Sequence, residues 1–213
     1  MSEATEERRE QKDRVLEAAL THAAFDGWSR RTLQNAAADC GFDKATATRL
    51  FPQGGESLLE WLDEWTDRQM LVRLEGVELD RLPVRKRIAR IVRARYEALE
   101  PHREAIRRAL AARAVPSGLP GGTRSLWRTA DLIWDVAGMP GSSAEGVSWY
   151  TRRVTLAGVL SATTLYWLQD QSEDSAASWT FLDRRIEDVM RIGKLRARME
   201  DFLRAMPGMR PAR

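Results

Sequence analysis

The side chains that could do chemistry are few and widely spaced. There are two histidines, His22 and His102, and one cysteine, Cys40. A di-iron helical bundle needs inward Glu residues and paired Glu-x-x-His motifs, and no Glu-x-x-His occurs. A single cysteine excludes an internal disulfide framework and a cysteine-based zinc site. Neither glycine pattern that cradles phosphate, GxxxxGK or GxGxxG, is present; Gly54-Gly55 and Gly121-Gly122 stand as turn glycines without the rest. A Ser-His-Asp triad is assembled in space and leaves no trace in spacing. This inventory points away from an enzyme and predicts neither a metal nor a cofactor.

Recognition chemistry is better represented. Eight tryptophans are present, and Trp149-Tyr150 follows a Gly/Ser-rich stretch and precedes Arg152-Arg153. A large aromatic pair at a helix entry serves either as a hydrophobic staple or as an anchor for a partner. Of the 34 basic residues only Lys12, Lys44, Lys86 and Lys194 are lysine, yet the net charge is only +3. Arginine excess fits contact with anions or nucleic acid, and it fits equally a codon bias with no functional content. The run 81–113 holds eleven basic and three acidic residues, read as a solvated face around an apolar stripe.

The elements that must position these groups are helical. A chain of 213 residues that is 43% hydrophobic supports one real core, and 14 Gly with 8 Pro exclude a collagen-like or low-complexity chain. Leu16, Ala19, Leu20 and Ala23 share a face before Gly27, and Leu33, Ala36, Ala37 and Cys40 form a second stripe ending at Gly41. Asp43 caps a third short helix that breaks at Phe51-Pro52. Glu56 opens a longer helix, and the set from Val84 to Leu99 forms another, interrupted by Pro101. Three loops are expected: 116–123, the stretch GMPGSSAEG, and QDQSEDSAAS. No period-two run of β-branched residues occurs. The expectation is an all-α fold of about nine or ten helices, given ordinary helix lengths.

The division expected is a charged flexible tail over 1–13, a helix-turn-helix-like unit over 14–52, a helical body over 53–192 and a basic amphipathic end over 193–213. The opening MSEATEERREQKDR has neither the apolar stretch of a secretory signal nor the acid-poor character of a transit peptide. A bacterial cytoplasmic location is expected from it. The apolar run VTLAGVLSATTLYWL is shorter than the ~20 residues of a bilayer span and reads as a buried helix.

Two resemblances follow. The string VLEAALTHAAFDGWSRRTLQNAAADCGFDKATATRLFP resembles the N-terminal domain of TetR-type regulators, which implies a helix-turn-helix followed by a larger ligand-binding bundle. In that family an aromatic residue usually sits in the recognition helix, where Thr48 stands here, and a Lys commonly follows the Phe-Pro turn, where Gln53, Gly54, Gly55 and Glu56 stand. Lys44 and Arg49 alone remain for phosphate, so no nucleic-acid partner is expected. A ligand-responsive repressor stays as the alternative.

The stretches LWRTADLIWDVAG, SWYTRRVTLAGVLSATTLYWLQDQSED and SWTFLDRRIEDVM resemble the accessory lipid-binding protein family of ubiquinone (coenzyme Q) biosynthesis. That resemblance covers roughly residues 14–192. It implies a non-enzymatic protein that binds isoprenoid lipids and quinone intermediates in an apolar cavity. It also implies docking at the membrane surface and presentation of substrate to the di-iron demethoxyubiquinone hydroxylase. It maps the contact with that enzyme onto Ile133, Trp149 and Tyr150.

Bulky and small residues alternate over 149–168, which fits either close helix packing or room for a prenyl chain. With the resemblance, Trp134, Leu156, Leu160, Leu165 and Trp167 are the expected lipid contacts. Beyond Val189, Leu195, Met199, Phe202 and Met206 recur at helical spacing among Arg and Lys. Such a helix packs on the body or on a second copy, or lies on an anionic bilayer. The last is the membrane-binding expectation, and a homodimer is the expected assembly.

Overall fold

The computed structural model describes residues 3–116, 118–139 and 147–205; the side chains of 147–150, 190 and 192–205 lie outside that description. Among the described residues there are nine α-helices and no strand. They are α1 (Glu3–Asp26), α2 (Arg30–Asp39), α3 (Lys44–Leu50), α4 (Gly55–Val72), α5 (Val84–Leu99), α6 (Arg103–Arg113), α7 (Leu119–Val136), α8 (Val147–Trp167) and α9 (Ala176–Ala205). The all-α architecture expected from periodicity is therefore the one observed.

Local signals account for the short N-terminal elements. Asp43 caps α3 by accepting from the Thr46 N–H at 2.7 Å, and Ser29 caps α2 by accepting from Thr32 N–H at 3.1 Å. Gly27 and Gly41 take left-handed backbone (φ 70° and 78°) after α1 and α2. Small alanines let the three helices approach closely. Ala19, Ala23, Ala36, Ala37 and Ala47 are all buried, with Leu16, Leu20 and Phe51 filling the remaining space.

Residues 3–13 are not a free tail. From Glu3 onward they extend α1, and polar contacts fasten that extension to the rest of the molecule. Asp13 accepts from Trp61 Nε1 at 2.8 Å and pairs with Arg68. Lys12 lies over the Trp61 ring at 3.9 Å, and Arg8 Nη2 donates to the Arg49 carbonyl at 3.0 Å, at the end of α3. A charge-rich sequence reads as solvated, but its partners lie on distant elements, which periodicity does not register.

Two further boundaries differ from expectation. The stretch 116–123 is not all loop, because α7 begins at Leu119 with Pro120 in its first turn, a position where its missing N–H is tolerated. At the other end α9 runs unbroken from Ala176 to Ala205, so no break falls at 192/193. The loop at GMPGSSAEG lies mostly outside the described residues.

In the body, α4 packs on α5 and α7, α7 on α8, and α8 on α9, while α1 packs on α6 and α4. The seam between the N-terminal unit and the body is tight. A Cβ on Gly55 would meet the Trp28 carbonyl oxygen at 2.3 Å, and Trp28 Nε1 donates to the Ala105 carbonyl at 2.9 Å. Among the described residues no helix is long and apolar enough to cross a membrane.

Candidate functional cavity

The body encloses a cavity of about 350 Å³ between α4, α5, α6, α7 and α8. Its apolar wall includes Leu62, Leu99, Ile106, Ala109, Leu126 and Leu160. Leu110, Leu119 and Leu165 also line it and are exposed, so they frame an opening to solvent. The volume falls at the lower end of the roughly 300–1,000 Å³ typical of ligand sites, and mostly apolar walls with a few polar groups are the usual makeup of such sites.

Four of the polar groups are organised on two helices. On α4, Asp63 and Asp67 stand one turn apart; on α7, Ser125 and Thr129 do the same. Asp63 accepts from Ser125 and from both terminal nitrogens of Arg113, with Nη1 at 3.1 Å. Asp67 accepts from Thr129 Oγ1 at 3.1 Å and pairs with Arg95. The result is a ladder of two rungs, each a carboxylate held by an arginine and a hydroxyl. Burial pushes the Asp67 carboxyl above its ordinary range, and the Arg95 charge and the Thr129 hydroxyl pull against that shift. Beside the ladder, Tyr96 Oη donates to one of the two oxygens in reach, the Leu160 carbonyl and the Thr164 hydroxyl, both at 2.9 Å. Burial pushes its phenol up to about 12, so it stays neutral.

Only some of the sequence-predicted lipid residues reach this space. Leu160 and Leu165 line it. Leu156 is buried but packs elsewhere in the core. Trp134 lies outside the cavity and half-buried, with Nε1 donating to the Arg152 carbonyl at 3.3 Å. Trp167 is fully buried, donates to Glu100 Oε2 at 2.8 Å and stacks under Arg103, so its ring is committed to the α5–α6 corner rather than to a ligand. Both indole N–H groups are committed to fixed acceptors, as is usual for buried tryptophan.

The proposed partner and membrane contacts separate in the same way. Ile133 is fully buried, so its side chain belongs to the core and offers no surface contact. Trp149 and Tyr150 lie on the first turn of α8, and Leu195, Met199 and Phe202 on α9. The side chains of these five residues lie outside the described set, as does all of Met206.

The residues missed by sequence reasoning are the ladder itself. Asp63, Thr66 and Asp67 interrupt an otherwise apolar face of α4, and Ser125 and Thr129 repeat at the same spacing on α7. Matched polar positions on two apolar faces were the available signal. The histidines lie elsewhere: His22 bonds Asp39 at 2.6 Å on the surface, and His102 packs edge-on to Trp65. Burial lowers the pKa of His102 and favours the neutral ring. Among the described residues no group of three or more potential metal ligands comes together.

On the helix-turn-helix unit, Arg30 and Arg31 are exposed at the start of α2. Arg49 donates to the Thr46 hydroxyl at 3.2 Å, and Lys44 is the other exposed cation on α3. Thr48 donates to the Lys44 carbonyl at 2.9 Å within its own helix.

The fold is that of a known class. The crystal structure of a TetR transcriptional regulator from Nitrosomonas europaea superposes with a TM-score of 0.68 at 19% identity, covering 84% of this chain and 97% of that one. At that identity the likeness speaks for the fold alone. The COQ9 family model matches residues 119–193, which span α7, α8 and the first part of α9.

Among curated relatives, the ubiquinone biosynthesis protein COQ9, mitochondrial, of Rattus norvegicus is 32% identical over 188 residues, covering 84% of this chain and 59% of its own length. The Homo sapiens protein of that name is 30% identical and covered over 58% of its length. COQ9-B of Xenopus laevis is 30% identical over 199 residues, covering 90% of this chain and 67% of its own length. The chain thus spans just under three fifths of the rat and human proteins.

These relatives are named as mitochondrial, which overturns the bacterial cytoplasmic location expected from the first residues. That expectation rested on the lack of signal-peptide or transit-peptide character in MSEATEERREQKDR, whose residues from Glu3 onward are the start of α1. On the strength of these matches, the chain belongs to the COQ9 family.

Proposed function

We propose that this chain is a non-enzymatic lipid-binding accessory protein of ubiquinone biosynthesis. It takes an isoprenoid quinone intermediate into the cavity between α4 and α8 and presents it at the membrane surface to the di-iron demethoxyubiquinone hydroxylase. The observation that carries this reading is the apolar cavity with an exposed mouth, found in a chain whose relatives are named for ubiquinone biosynthesis. The partner supplies the iron chemistry; this chain extracts, shields and hands over a hydrophobic molecule. In this reading Trp149 and Tyr150 anchor the hydroxylase, with Ile133 supporting α7 from within the core. The basic amphipathic end of α9, with Leu195, Met199 and Phe202, rests on anionic lipid together with Met206, and each basic residue near that surface contributes about 1 kcal/mol. A homodimer completes the assembly.

The test is organic extraction of the purified chain followed by mass spectrometry, beside its Leu160→Trp variant. Leu160 is buried and lines the cavity, so the larger indole occupies ligand space. Prenyl lipid or quinone is expected from the parental protein and at least tenfold less from the variant, with helicity unchanged. Equal recovery from both proteins removes the cavity from the account. Salt-sensitive, sequence-selective retardation of DNA without bound lipid would favour a repressor instead.

A further inference from the structure

The walls of the cavity are not uniform, and the unevenness has a direction. One side holds the two-rung ladder of Asp63, Arg113 and Ser125 with Asp67, Arg95 and Thr129. The mouth, framed by Leu110, Leu119 and Leu165, is apolar. Burying charged pairs against an apolar space costs desolvation that hydrophobic replacements would avoid. An empty or purely hydrocarbon-filled cavity has no use for them.

The ladder also has unused donors. The hydrogen bond Arg95 makes is through Nη1, to Asp67; its Nε and Nη2 make none among the described residues. Arg113 uses Nη1 and Nη2 and leaves Nε unbonded in the same sense. No fully buried side-chain nitrogen or oxygen lacks a partner among the described residues, so these donors reach accessible space. Both arginines border the cavity.

The charge balance defines what such donors accept. Each arginine is already neutralised by a carboxylate on α4. An anionic head would face Asp63 and Asp67, and a cationic head would face Arg95 and Arg113. An uncharged head rich in acceptor oxygens meets neither penalty, and its carbonyl, ether or hydroxyl oxygens match guanidinium N–H groups.

We propose that the cavity takes its amphiphile head first, with a neutral, oxygen-bearing ring against Arg95 and Arg113 and the apolar chain leaving between Leu110, Leu119 and Leu165. This deepens the lipid-carrier reading and rests on it. A volume of about 350 Å³ holds a head group and the start of a chain, so most of a long prenyl tail lies beyond the mouth. The ring is therefore shielded in the carrier, and hand-over to an enzyme begins with its release from the ladder.

The test titrates the full chain with two probes of matched chain length: a decyl-substituted dimethoxy-methyl-benzoquinone and decylbenzene. Each is measured by displacement of a fluorescent prenyl reporter. The quinone is expected to bind at least about tenfold more tightly, a discrimination of about 1.4 kcal/mol. The double variant Asp67→Leu with Arg95→Met removes one rung without leaving an unpaired charge. It is expected to keep decylbenzene affinity within about threefold and to lose most of the preference.

Should that variant fail to fold by circular dichroism, Arg95→Lys keeps the pair with Asp67 but loses the planar fork. Its preference is expected to fall at least about threefold. Equal binding of the two probes by the parental chain overturns the head-first orientation while leaving a lipid cavity in place, as does a preference that survives in the variants. Binding of neither probe overturns the carrier reading along with it.

Discussion

The N-terminal unit of α1–α3 and the body of α4–α9 solve packing in opposite ways. The first is filled: alanines close the helix contacts, Ser29 and Asp43 cap helix starts, and the α1 extension bonds back onto α3 and α4. The second keeps about 350 Å³ of space and sets a ladder of ion pairs along its wall. The same scaffold thus has a filled end and a hollow end. The difference bears on the proposed function: α3 exposes Lys44 and Arg49 as its cations, whereas a hollow with an apolar mouth and a polar wall has the makeup of a ligand site.

That contrast can be broken by measuring where the molecule is most sensitive. The largest effect is expected at the ladder. Asp63→Leu strands the Arg113 guanidinium against an apolar wall, and the loss should be about 3–5 kcal/mol in urea unfolding. A loss below about 1 kcal/mol would mean that the ladder behaves as an ordinary surface pair, at odds with an Asp63 that is only 6% exposed.

The seam between the regions comes next. Gly55→Ala places a methyl group 2.3 Å from the Trp28 carbonyl oxygen, a backbone atom that cannot swing aside. A loss of about 1–3 kcal/mol is expected from overpacking. Ligand affinity should be unchanged, because Gly55 lies outside the cavity. Altered ligand affinity would show the two regions to be mechanically coupled.

The smallest effect is a pH dependence at the α8–α9 corner. Asp170 accepts hydrogen bonds from the side chains and backbone N–H groups of Ser172 and Ser178. Burial pushes its carboxyl up, but those four bonds outweigh burial and hold it well below the ordinary carboxylate value of 3.8. A lowered folded value stabilises the fold in full above pH 3.8, and the gain is lost as pH falls toward the depressed value. Asp170→Asn should therefore lower the melting temperature at pH 7 and narrow its gap from the parental protein as the solution is acidified. A gap independent of pH would remove Asp170 from the acid response.

The fold was largely legible because its signals are local. The Asp43 cap, the Phe51-Pro52 break and the stripe from Val84 to Leu99 all act within a few residues. The site was less legible because its parts meet only in space. Leu160 was recoverable from small-large alternation on α8, but the ladder joins α4, α5, α6 and α7 across long separations, and each half alone reads as a stray polar residue. Trp167 misled for the same reason, since bulk shows that a residue packs, not which surface it packs against, and Ile133, mapped from the resemblance as a surface contact, is fully buried. The charged start of α1 misled too, since Asp13 and Lys12 find Trp61 and Arg68 on α4.

Native mass spectrometry of the full chain titrated with a prenylated benzoquinone tests the hollow body most directly. The account predicts one saturable ligand per chain, abolished by Leu160→Trp in a protein that remains folded. Unsaturable uptake, or uptake that Leu160→Trp leaves untouched, would contradict it.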